Sequence, residues 1–276
     1  MRKRCAVALF CVHAVHGICK GAGMDNKNHE SEIALRLANR AYVYGALHVV
    51  FGALPNADVV QRIASDNTKA ALGDALALCR ASLGGEPGPC VGMLGVSAER
   101  CLTEAIGEVE KLKGLVDADA EAIACKLKSD YSRLFDIPGD SYVHTWESPY
   151  VGTEGTLFQA STLNVREYYH EAGYRLQAEK HFPDDHIAAM MDYLRCTGEK
   201  AYNEYADGLD RDAASTLDVQ VRFLKQHVLT WADVFASRVV ERDGLGYYAA
   251  FAKALAAFAQ VDYAFAGGLA KELAAV

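Results

Sequence analysis

The chain has 276 residues, 51% of them hydrophobic and 23% charged, with a formal net charge of −8. That is the composition of a folded globular protein, long enough for one large domain or two small ones. The acidic balance argues against nucleic acid as a partner and suits a basic peptide.

In chain order, Arg2-Lys3-Arg4 precedes the apolar run Cys5-Ala6-Val7-Ala8-Leu9-Phe10-Cys11-Val12, in the manner of a secretory signal. The run is too short to span a bilayer. His13 and His16 interrupt it, and no clear small-x-small cleavage site follows. Met24 opens a polar segment that leads into the first helical pattern. Residues 1–23 are therefore expected to be a misassigned extension, with a signal peptide as the alternative. Residues 24–276 are expected to fold with the thermal midpoint of the full chain.

Residues 30–54 read as a helix with Ile33, Leu37, Tyr44, Leu47 and Phe51 on one side. Residues 66–83 read as a second, through Leu72, Leu76, Cys79 and Leu83. Gly84-Gly85-Glu86-Pro87-Gly88-Pro89 breaks the chain. Ser97 is expected to cap a helix to about Lys113, and Asp117 another to Phe135. Residues 136–160 form the longest irregular stretch, and long structured loops within a domain are often functional. A helix from about Thr162 to Ala172 follows.

Pro183-Asp184-Asp185-His186 then stands where the apolar helix of Ile187, Met190, Met191 and Leu194 begins. Asp184 is expected as its N-cap. Asp185 is favourable near the positive end of the helix dipole, and a protonated His186 is not. Such a polar cluster can read a ligand, or simply start a helix. Residues 212–238 carry the most regular pattern, with Leu217, Val221, Leu224, Val228, Trp231 and Phe235 alternating by four and three. His227 on it reads as a core or rim histidine with one hydrogen bond. A last helix begins near Tyr247. No segment shows sustained strand alternation. The expected fold is all-α: one compact domain of about nine to eleven helices without a sheet.

The eight cysteines form no Cys-x-x-Cys pair and no zinc-site or iron–sulfur spacing. Cys79 and Cys125 fall on apolar helical faces, where a buried thiol is expected. Neither metal nor disulfide is expected to be needed for folding, so chelator with reductant should leave the thermal melt unchanged to within about 5 °C. There is no phosphate loop and no Gly-x-Ser-x-Gly. His170-Glu171 lacks the second histidine of a zinc-protease helix. Tyr168, Tyr169, Tyr202 and Tyr205 read as packing residues.

Four segments, in order, resemble the TorD/DmsD/NarJ family of cytoplasmic chaperones that mature molybdenum-containing redox enzymes. They are Tyr131-Ser132-Arg133-Leu134-Phe135 with Asp136-Ile137-Pro138-Gly139, then Glu147-Ser148-Pro149-Tyr150, then Tyr168-Tyr169-His170-Glu171-Ala172-Gly173 running on to Pro183-Asp184-Asp185-His186-Ile187, and finally Phe223-Leu224 with His227, Trp231 and Tyr247-Tyr248. Ala188-Ala189-Met190-Met191 departs from the family, in which a glutamate is common after the isoleucine. The resemblance implies an all-helical fold, no catalysis and no cofactor of its own. It implies binding of the twin-arginine signal peptide of a molybdoenzyme catalytic subunit and of that subunit's apo form, by a cytoplasmic monomer or domain-swapped dimer without stable membrane insertion. By resemblance, Pro183, Asp184, Asp185 and His186 contact or orient the peptide, beside Glu147 and Ser148. Leu134, Phe135, Trp146 and Tyr150 supply an apolar wall; simple core packing is the alternative for all four and the favoured reading for Leu134. Two other classes fit the residues: a metal-dependent hydrolase using His170, Asp184, Asp185 and His186, and a regulatory domain binding a small apolar ligand.

Overall fold

The structure, a computed structural model, describes residues 24–81, 90–91, 95–152, 160–175 and 183–275. The first helix, α1 (Met24–Gly52), carries the expected stripe: Leu37, Tyr44, Leu47 and Phe51 are all buried. Asn56 caps α2 (Ala57–Ile63) by accepting from the Val59 N–H at 2.9 Å. Then comes α3 (Asp66–Ala81). A two-residue antiparallel ladder, β1 (Cys90–Val91) with β2 (Val96–Ser97), is the strand pairing among the described residues. The fold is all-α.

Ser97 caps α4 (Ala98–Tyr131) as expected, but α4 runs on past Lys113. Its break is at Asp119, with φ −162° and ψ 91°, and the Asp119 carboxylate accepts from the Ala122 N–H at 3.0 Å. The capping acid is therefore Asp119 and not Asp117. Either side chain can cap, and backbone geometry decides which one does. Cys125 is exposed here, against expectation, while Cys79 is buried. A π-helical turn, Ser132–Asp136, ends α4. Next come the short α5 (Ser148–Val151) and α6 (Ala160–Glu171).

The next helix, α7, spans Ile187–Ala206, and its cap is His186, not Asp184: the His186 ring Nδ1 accepts from the Ala188 N–H at 3.1 Å. Asp184 is instead turned to Arg166 on α6. The long pattern of residues 212–238 is also divided. α8 (Asp210–Phe223) passes into a π-helical turn, Leu224–Val228, and α9 (Ala232–Arg242) restarts after Trp231 at φ −145°. A π turn holds one extra residue per hydrogen-bonded ring. The apolar face survives the interruption, so Leu217, Leu224, Val228, Trp231 and Phe235 are all buried. Last is α10 (Tyr247–Ala274), packed against α4, α8 and α9.

The rings of Phe51, Tyr131, Phe135, Phe235 and Tyr248 interlock edge to face at the centre, with Phe51 to Phe235 at 5.4 Å and Phe135 to Tyr248 at 5.3 Å. Such pairs add to plain area burial. Small residues let α1 lie close along α7. A Cβ at Gly52 would stand 2.5 Å from the Ala188 Cβ, and one at Gly198 would stand 3.3 Å from the Ala41 Cβ. The first of these contacts fixes α1 against the start of α7, beside His186. Deeper in, Arg40 and Asp262 form a buried two-pronged ion pair at 2.7 and 2.9 Å, and the Tyr44 hydroxyl donates to the same carboxylate at 2.6 Å.

Candidate functional site

The segment leaving the first π turn folds back on it, with the Val143 N–H donating to the Leu134 carbonyl at 2.7 Å. It then runs antiparallel to the residues before α7. The Glu147 N–H donates to the Asp185 carbonyl at 3.0 Å, and the Ile187 N–H to the Thr145 carbonyl at 2.7 Å. These two bonds set Trp146 opposite His186, their rings edge to face at 5.1 Å. Two motifs distant in sequence thus become one structural unit.

Side chains knot that unit together. The Asp185 carboxylate accepts from the Ser148 N–H at 2.8 Å and, in a very short contact, from the Ser148 hydroxyl. That hydroxyl also meets Thr162 of α6 at 3.0 Å. Arg166 of α6 donates from Nε to Asp184 at 2.7 Å, and the Tyr169 hydroxyl donates to the Asp184 carbonyl at 3.1 Å. The Glu147 carboxylate lies 3.0 Å from His227 Nδ1, while His227 Nε2 lies 2.7 Å from the Asn164 amide oxygen. Both ring nitrogens are thus engaged. His227 is buried and doubly engaged, where the sequence suggested a single bond. Burial pushes the Glu147 carboxyl up, against the opposing pull of His227.

The expected site residues therefore fall into two layers. Asp184, Asp185, Glu147 and Ser148 are 1% exposed or less, and Pro183 is buried with them. Trp146, Tyr150 and His186 sit above them, partly exposed. Phe135 and Leu134 are not in this group, since both are enclosed in the aromatic core. Tyr150 is held by its hydroxyl donating to the His144 carbonyl at 2.6 Å and by its ring at 5.0 Å from Trp231. Large apolar side chains flank the knot: Val151 is 41% exposed and Leu163 58%. His48, Asn164, Thr162 and Arg166 take part without any signal in the sequence. His48 Nδ1, for example, meets the Ala188 carbonyl at 2.8 Å.

Among the described residues, no three His, Cys, Asp or Glu side chains are placed to hold a metal ion. His181, two residues before Pro183 and able by type to join such a ligand set, lies outside them. A groove of about 810 Å³ runs between α8 and α10, past Ala214, Val221, Tyr263 and Gly267. None of the expected site residues lines it, so its size is no guide to the knot.

Burial, with His48 close by, lowers the pKa of His186 from 6.5 to about 4. Between those values the unfolded chain holds the proton and the folded chain does not. This group's contribution is complete above about pH 6.5 and is lost as pH falls toward 4. His186→Asn keeps a capping acceptor and removes the titration. In urea unfolding, the stability of the wild type relative to this variant should fall by about 2 kcal/mol between pH 7 and pH 5. A difference independent of pH would show that the ring is not held neutral.

The profile of the family described as nitrate reductase delta subunit matches residues 99–237, from the start of α4 into α9 and across every residue of the knot except His48. Relatives named chaperone protein TorD match as well. That of Photobacterium profundum is 31% identical over 157 residues, 57% of this chain and 69% of its own length. That of Vibrio atlanticus is 25% identical over 178 residues, 61% of this chain and 81% of its own length. A third, from Vibrio cholerae, is 28% identical over 167 residues, 60% of this chain and 71% of its own length. The matched relatives are named chaperones, a non-enzymatic class, and this chain shares their matched helical region. The chain belongs to the TorD/NarJ family. Among the described residues, no helix is long and apolar enough to cross a membrane.

Proposed function

We propose that this chain is a dedicated cytoplasmic chaperone for a molybdenum-containing oxidoreductase. It binds the twin-arginine signal peptide of the catalytic subunit and holds the apo subunit while the cofactor is inserted, before export. The observation that carries this reading is the Trp146–His186 bridge, which joins two family motifs into one face. Trp146, Tyr150 and His186 are partly exposed residues there, and Val151 and Leu163 add apolar surface. Beneath lie three carboxylates, Glu147, Asp184 and Asp185, with the Arg166 guanidinium and the His227 ring against them. A leader is a basic stretch followed by an apolar one, and such a face complements both halves. In this reading the partly exposed residues touch the peptide. Asp184, Asp185, Glu147, Ser148 and Pro183 hold those residues in place and bias the local field.

Calorimetry of the full chain with a synthetic leader from the molybdoenzyme encoded beside it tests this. Binding near micromolar is expected, about −8 kcal/mol, and it should weaken as salt rises. Trp146→Ala should reduce it by at least about 2 kcal/mol, as for a central aromatic anchor. A wild type that binds no such leader would overturn the reading.

A further inference from the structure

On α9, one turn apart, stand Arg238 and Arg242. Neither makes an ion pair among the described residues. The Arg238 guanidinium lies over the Tyr150 ring at 4.5 Å from its centroid. Arg242 donates from Nη1 to the Tyr142 carbonyl at 2.6 Å. Each guanidinium carries five donors, so most remain unassigned. His144 joins them, its ring edge to face with Tyr142 at 4.9 Å. Its Nδ1 is buried and has no hydrogen-bond partner. Burial first, then the two arginines, lower the His144 pKa, so the ring is neutral and can donate one N–H. The acid within electrostatic reach of Tyr142 is Asp136, which already accepts from Ser132. Arg133 is neutralised by Asp130. The end of α9 favours a cation and accounts for Arg242. It does not account for Arg238 a turn further in, nor for an orphan imidazole nitrogen.

We propose that Arg238, Arg242 and His144 form a binding site for a phosphate-type oxyanion. Two guanidinium groups match the charge of a phosphate dianion, and their forks match its oxygens. The imidazole supplies a further donor. The site adjoins Tyr150 yet has the opposite charge preference to a basic leader, so it stands independently of leader binding.

The test is an amide-shift titration of the full chain at low salt with inorganic phosphate, with acetate at matched ionic strength as control. Saturable shifts at residues 142–144 and 238–242 are expected for phosphate, with a dissociation constant on the order of millimolar, and only weak, non-saturating shifts for acetate. Arg238→Gln and Arg242→Gln should each weaken binding at least about tenfold, the loss of one charge-assisted hydrogen bond. Acetate binding as tightly as phosphate would overturn the assignment to phosphate. No saturable shift, shifts confined to other residues, or unchanged binding in folded glutamine variants would overturn the site. Should a variant fail to fold, the location of the shifts in the wild type decides.

Discussion

Asp262→Ala is expected to lower the stability of the full chain by about 3–5 kcal/mol, a drop on the order of 10 °C in the melt. Asp262 and Arg40 are each 1% exposed at the side chain, and the carboxylate also receives the Tyr44 hydroxyl. Arg40 Nη1 already lacks a partner. Removing the carboxylate leaves a buried guanidinium with nothing to offset its desolvation, and strands a buried phenol as well. The double substitution Arg40→Met with Asp262→Leu removes both charges but still leaves the Tyr44 phenol without its acceptor. It should recover part of the loss, because a buried pair is costly to break and cheap to replace whole. Urea unfolding of the three proteins checks this. A melt for Asp262→Ala close to the wild type would show that the pair is not buried as described.

Asp185→Ala is expected to cost about 3 kcal/mol and to abolish leader binding at temperatures where the fold persists. The side chain is fully buried and accepts from both the N–H and the hydroxyl of Ser148. Without it the buried Ser148 N–H is unpaired, and the Ser148 hydroxyl is left with Thr162 alone. The turn that carries Trp146 and Tyr150 then loses its link to the start of α7. Asp185→Asn keeps one accepting oxygen and should recover part of both stability and binding. Denaturation with calorimetry on the same samples separates the two effects. If the alanine variant were fully stable yet unable to bind, Asp185 would be a contact residue and not a support.

Local patterns were legible in the sequence, and pairings across the chain were not. The α1 stripe of Leu37, Tyr44, Leu47 and Phe51 depends only on helical spacing, and it lies where the spacing predicts. The division between α8 and α9 left no trace, because the π turn keeps Leu224, Val228 and Trp231 on the same face and no Gly or Pro marks the break. Asp117 and Asp119 are equivalent caps by composition, and tertiary geometry chose Asp119. At the site, both motifs were readable as motifs. The antiparallel bridge that joins them was not, since no local periodicity records a bond between Glu147 and Asp185. Depth was the other hidden variable. Charged residues are usually exposed, yet Asp184, Asp185 and Glu147 lie inside, and Asp184 there meets Arg166, which carried no signal.

The most direct measurement on the proposed site is hydrogen exchange of the full chain with and without the client's leader. Slower exchange is expected at residues 144–151 and 183–188, where the knot and its partly exposed residues would be covered. Slowing confined to residues 211–221 and 263–274, the walls of the groove between α8 and α10, would contradict the assignment and move the peptide to that groove.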